Sequence, residues 1–283
     1  SFTARKVAGA GGDISAYGLG LGSPSGSAAG LNFGGALTVN ADGATRLYAT
    51  QNAAAPSAAG LSMAAVTIGK GDFLGQATSG TGTGYTGGSP GISISGAITD
   101  NVSGGNLTLI SNNRISQTGT VTVAANTSGT AASITYDTTS GTKDSSITAG
   151  AVTIAAGTNA SPINYTQKAS GAALSLGAMT LPGTITLDNT WLNGASDGIN
   201  ASNISTRATA STGISIASSL SAANSGGTAI DLRGVSSGAS AVNVNSSTPL
   251  RATAGDINVQ GQTSAAADAV VFGSYAGMRA DAG

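Results

Sequence analysis

The chain has 283 residues, of which 44 are Gly, 51 Ala, 38 Ser and 35 Thr, so 168 positions carry small side chains and few remain for a conventional core. Net charge is −1 with only 8% charged residues, which removes the self-repulsion that keeps disordered chains expanded. All 12 acidic residues are Asp, and with no Glu, Cys or His the chain is poorly suited to helical surfaces and excludes disulfides, thiolate chemistry and imidazole catalysis or ligation.

Along the chain one phrase recurs, a small residue followed within two positions by apolar–polar–apolar. It appears as Ala36-Leu37-Thr38-Val39, Ala65-Val66-Thr67-Ile68, Gly91-Ile92-Ser93-Ile94, Asn106-Leu107-Thr108-Leu109 and Thr120-Val121-Thr122-Val123. It continues as Ala151-Val152-Thr153-Ile154, Thr184-Ile185-Thr186-Leu187, Gly213-Ile214-Ser215-Ile216, Ala229-Ile230-Asp231-Leu232, Ala241-Val242-Asn243-Val244 and Asp256-Ile257-Asn258-Val259. Period-2 alternation marks half-buried strands of three to five residues, and the Gly, Asn, Ser and Asp between them are turn formers. Val152, Ile163, Leu174 and Ile185 each open such a triplet at a constant spacing of 11, which points to stacked coils.

Strands this short, with 4% aromatics, suit a sandwich poorly and suit an all-β, right-handed parallel β-helix well. The expectation is one rod over 1–283, packed by small residues, with about 20–25 residues per coil, on the order of a dozen coils and a length of roughly 60 Å. Val121, Val123, Val152, Ile154, Ile185 and Leu187 should face inward, and Thr120, Thr122, Thr153 and Thr186 outward. Two segments break the rhythm and read as loop excursions: 70–90, with Phe73 and Tyr85, and 188–198, with the single Trp191.

Gly11-Gly12-Asp13-Ile14-Ser15-Ala16, Gly104-Gly105-Asn106-Leu107-Thr108-Leu109 and Ala254-Gly255-Asp256-Ile257-Asn258-Val259 resemble the coil phrasing of the filamentous haemagglutinin-like exoproteins of two-partner secretion. The same phrasing covers most of the chain, and autotransporter passengers share it. The resemblance implies a secreted bacterial surface rod, a non-enzymatic stretch of an adhesin shaft, with a host or surface glycan or protein as receptor.

No catalytic, cofactor-binding or metal-binding residue is expected. Asp13 and Asp256 occupy one repeat position, but the paired glycines and following Asp of a calcium nonapeptide are missing, so they read as turn residues accepting a backbone N–H. The runner-up reading, a polysaccharide lyase or hydrolase, has only scattered candidates: Asp188, Asp197 and Asp231 with Arg207, Arg233 and Arg251. An ice-binding face would need a regular Thr-x-Thr ladder on one flat face; Thr120-Val121-Thr122 and Thr184-Ile185-Thr186 are such triplets, but the neighbouring coils are expected to carry Ser, Asn or Asp there, which breaks the ladder. Gly18-Leu19-Gly20-Leu21-Gly22 lacks the helix of a dinucleotide fingerprint. Sequons at Asn101, Asn106, Asn126, Asn159, Asn200, Asn203 and Asn245 follow from composition.

No basic run exceeds Arg5-Lys6, so a nucleic-acid footprint is missing. No apolar stretch approaches the ~18 residues of a membrane span. Opening on Ser1, without Met or a leader, the chain reads as a processed piece of something longer. The stretch from Ser1 to Ile14 contains no amphipathic helix, and 270–279 stay strand-like to the end. Both ends of the rod are therefore expected to be covered by more β-helix, from the parent chain or from identical subunits.

Overall fold

The computed structural model describes residues 2–4, 12–20, 29–51, 58–79, 89–140, 145–169, 173–189, 213–216, 219–236, 239–244, 250–273 and 276–281, and among these there are strands and no helix. The strands are β1 Phe2–Ala4, β2 Ile14–Gly20, β3 Leu31–Gln51, β4 Leu61–Ser79, β5 Ile92–Ile94, β6 Ile98–Asp100, β7 Asn106–Ser111, β8 Ile115–Gln117, β9 Val121–Val123, β10 Ala132–Asp137 and β11 Ile147–Ala149. They continue with β12 Val152–Ile154, β13 Ile163–Lys168, β14 Leu174–Leu176, β15 Met179–Leu181, β16 Ile185–Asp188, β17 Ile214–Ile216, β18 Leu220–Ser236, β19 Val242–Val244, β20 Leu250–Thr263, β21 Val270–Phe272 and β22 Met278–Ala280. The pairings between stacked strands are parallel, each joining one coil to the next, and the whole is a parallel β-solenoid.

Three faces wind around the axis. The first stacks Leu31, Leu61, Ile92, Ile115, Ile147, Leu174, Ile214, Val242 and Val270 in register. The second stacks Leu37, Val66, Ile98, Val121, Val152, Met179, Leu220, Leu250 and Met278. The third runs from Ile14 through Thr45, Phe73, Leu107, Ile134, Tyr165, Ile185 and Ile230 to Ile257. A stack nine strands deep on the first face is roughly 40 Å long at the usual strand spacing, shorter than the rod expected from the sequence.

The difference lies in coil length. The interval between stacked partners is short from Ile92 to Ile115, longer from Val121 to Val152 and longest from Ile185 to Ile230, so the chain makes fewer and longer turns than a dozen. The 11-residue spacing is the step from one side to the next: Val152, Ile163 and Leu174 open strands on the second, third and first faces. Ile185 falls back on the third face because its coil is short, with Tyr165 pairing directly to Ile185.

The inward phase is as the alternation requires. Val121, Val123, Val152, Ile185 and Leu187 are buried and Ile154 packs against the core, while Thr120, Thr122, Thr153 and Thr186 face outward. The interior is not packed by small residues, however. Leu, Ile and Val fill it, and Phe73, Tyr136 and Tyr165 are among its largest fully buried side chains. The two Tyr rings lie 5.8 Å apart, tilted by 47°. Burial pushes both hydroxyls above their ordinary pKa. Such groups are costly to desolvate unless bonded; Tyr136 donates to Gln117 Oε1 at 3.3 Å, which also accepts the Gly150 N–H at 2.9 Å.

The Gly-Asp phrase has a local cause. Gly71 and Gly255 adopt φ of +71° and +87° at the corner entering the third face, where a Cβ would lie 1.9 Å from Gly43 O and 2.2 Å from Asn224 O respectively; only glycine fits such a turn. The next residue ties coils together. Asp13 Oδ1 accepts the Ala44 N–H at 2.8 Å, Asp72 Oδ1 the Asn106 N–H at 2.9 Å, and at the same entry position Asn164 Oδ1 accepts the Thr184 N–H at 3.0 Å.

Within the two segments read as excursions, residues 70–79 run on as β4 and Phe73 is buried between Thr45 and Leu107. Asp188 closes β16, and Asn189 is buried, exchanging bonds of 3.0 and 2.7 Å with the Val235 backbone. Tyr85 and Trp191, with the rest of 80–88 and 190–198, lie outside the described residues.

Candidate binding surfaces

Because most inward positions are apolar, the three-residue strands other than β1 and β21 present one central polar residue outward, and stacking aligns these into rows. On the second face Thr38, Thr67, Thr99, Thr122 and Thr153 succeed one another in register. Thr122 and Thr153 hydroxyls meet at 3.2 Å. On the third face Thr108, Thr135, Thr166 and Thr186 do the same. On the first, Ser62, Ser93, Ser116, Thr148, Ser175 and Ser215 form the row. A paired Thr-x-Thr ladder is broken, as expected, since Thr120 stacks with Ala97 and Ala151, but one central Thr row runs unbroken from Thr38 to Thr153 before the face turns to Ser221, Arg251 and Arg279. Triplets that follow one another along the chain lie on different sides of the solenoid, so their Ser and Asn residues belong to other rows.

The charged candidates converge in part. Asp137, Lys168, Asp188 and Arg233 occupy successive register positions on the third face, alternating in sign. Arg233 Nη2 lies 2.8 Å from Asp231 Oδ2, and Asn258 Nδ2 donates to Asp231 Oδ1 at 2.8 Å. Asp188, Asp231 and Arg233 are thus neighbours, which the linear sequence hides. Arg251 is elsewhere, on the second face, paired with Asp281 at 2.5 Å. Asp197 and Arg207 lie outside the described residues. Alternating charges across adjacent strands stabilise register as opposite-charge cross-strand pairs do.

Asp13 is exposed and forms an ion pair with Arg46 at 2.6 Å; the Ala44 N–H and that guanidinium together hold its carboxyl below the ordinary range. Asp256 is exposed opposite Thr228. Among the described residues no group of three acidic side chains gathers as a metal site. Asp100 carries no signal in the sequence, yet its carboxyl is pushed up to about 6, mainly by burial and further by the nearby Asp72 charge, against the Val102 N–H bond of 2.9 Å that favours ionisation. It takes an inward position at the end of β6 and is 4% exposed, which makes it a corner fastening turned away from solvent.

The last coil leaves apolar surface uncovered. Phe272 and Met278 are 37% and 53% exposed, and Ile257, Val259 and Val270 are only partly buried. Near the other end Tyr17 and Leu19 are 75% and 58% exposed, with the Tyr17 ring stacked on Tyr48 at 5.0 Å. Among the described residues no helix is long and apolar enough to cross a membrane. No family model, no curated protein and no solved structure matches the chain.

Proposed function

We propose that the chain is a structural length of a secreted bacterial surface fibre used for attachment, built like a filamentous haemagglutinin-type shaft and continued at its ends by further coils. The observation that carries this reading is the stack itself: its strands pair in parallel from one coil to the next, a pairing that lengthens by adding coils, because a strand edge is a template for more parallel strand. Uncharged Ser and Thr rows on the faces, and charges engaged in ion pairs along the solenoid, suit a surface that resists sideways aggregation.

Electron microscopy with mass measurement tests it. The 283-residue chain is expected to form rods that lengthen with concentration, and Phe272→Asp combined with Met278→Asp is expected to return it to a 26.8 kDa monomer. A wild-type chain that stays monomeric at every concentration would overturn the proposal.

A second reading, recognition of an ordered water lattice, is favoured by one observation, the Thr row from Thr38 to Thr153 on the second face. The row is flanked on one side by Ala65, Ala97, Thr120 and Ala151, which precede the inward residues of the same strands. Thermal hysteresis of the chain, lost in Thr99→Lys, would support it; freezing and melting points that coincide would remove it.

A further inference from the structure

At the corner between the second and third faces, turns of unequal length are stacked. Between Ile154 and Ile163 the turn takes residues 155–162, whereas one coil later only 182–184 separate Leu181 from Ile185. The short turn needs its glycine, since a Cβ on Gly183 would lie 2.3 Å from Ile163 O. On the far side the chain widens again, with register shifts between Ala222 and Ile230. A short turn between two long ones leaves a notch of about 530 Å³, within the size range of small-molecule sites.

Its walls are fixed by the backbone. The long turn is fastened to the buried Asn126: its amide donates to Pro162 O at 2.9 Å, its backbone N–H to Asn159 Oδ1 at 2.9 Å, and its carbonyl accepts Ala160 and Ser161 N–H at 2.8 and 3.0 Å. Opposite, Asn224 Nδ2 donates to Thr184 Oγ1 at 3.1 Å, and the Ala223 N–H reaches Gly183 O at 3.2 Å. These bonds also orient two free donors. Asn159 and Asn164 each give their amide oxygen to a backbone N–H, which settles which end of the amide is which. Asn159, Asn164, Ser161 and Ser225 line the notch, and the two Nδ2 groups and two hydroxyls have no hydrogen-bond partner among the described residues.

Among the described residues that line the notch none is ionised or aromatic. An anion would find no countercharge, and an apolar ligand would leave the donors unpaired at a cost. We propose that the notch binds a neutral, acceptor-rich polyol, a short segment of an uncharged glycan, through Asn159 and Asn164. The inference rests on the attachment reading for its biological sense and names where and what the fibre would hold. Its test is separate from the mass measurement, because Asn159 and Asn164 lie in inner coils and only Ala254 of the lining belongs to the last one.

The ¹⁵N-labelled full chain is titrated with hexasaccharides of β-linked glucose, mannose, xylose and N-acetylglucosamine, and with a sulfated hexasaccharide, up to about 10 mM, where small polar sites bind measurably. At least one neutral sugar is expected to shift the Asn159 and Asn164 side-chain amide signals saturably. Asn159→Asp and Asn164→Asp keep the oxygen that holds the backbone N–H and replace the donor, and each is expected to weaken binding about tenfold. Absence of such shifts with all the neutral sugars, unchanged affinity in both variants, or preference for the sulfated sugar would overturn the proposal, whatever the rods do.

Discussion

Val152→Asp is expected to unfold the middle of the solenoid. Val152 is 3% exposed and stacked between Val121 and Met179, so a carboxylate there has neither water nor a cation, and such uncompensated burial costs several kcal/mol, about 4 or more. Val152→Ala, which only leaves a void, should cost about 2 kcal/mol. In a stack where each coil touches only its neighbours, damage is local before it is global. Limited proteolysis of Val152→Asp should therefore cut first near 145–160, with a lowered melting temperature, while Thr153→Asp, one residue along and facing outward, leaves both almost unchanged. Equal effects at 152 and 153 would contradict the inward phase.

That contrast between neighbours is readable in the sequence, because alternation is a local property: Val121, Val152 and Ile185 declare their side whatever coil they occupy. Which residues share a rung is not local. It depends on how much chain each corner consumes, and the interval between stacked partners more than doubles between Tyr165 to Ile185 and Ile185 to Ile230. The Thr row on the second face, the meeting of Asp188 with Arg233 and the notch beside Gly183 all arise from that variable count. Even the constant 11-residue spacing from Val152 to Ile185 misleads, since it measures sides rather than coils. The Gly-Asp phrase is legible as a turn; that Asp13 fastens the next coil through the Ala44 N–H emerges only from the stacking. The aromatic core is hidden for a related reason: Tyr136 and Tyr165 are distant along the chain and make a pair only after their strands align.

Asp100→Asn is expected to stabilise the chain at neutral pH and to remove part of its pH dependence. The wild-type carboxyl has an ordinary value of 3.8 and a folded value of about 6, so between these the native state holds a proton that the unfolded chain releases. The sign follows: the contribution of Asp100 is most favourable below pH 4, declines as pH rises through 6 and is flat beyond. Two pKa units amount to about 3 kcal/mol. Asn is uncharged throughout and keeps an oxygen for the Val102 N–H, so urea midpoints of variant and wild type should coincide near pH 4 and separate in favour of the variant by pH 8. The paired carboxylates act in the opposite direction in a lower window. Asp13 and Asp281 are held below the ordinary value by hydrogen bonds and by Arg46, and by Arg251 and Arg279, respectively, so what they contribute is present above pH 4 and lost as pH falls. Asp72→Asn offers a finer test, because removing the neighbouring charge should move the Asp100 transition to lower pH without abolishing it. A variant profile parallel to wild type between pH 4 and 7 would mean that Asp100 is ionised and solvated in the native state, which its inward position between Ile68 and Val123 does not allow.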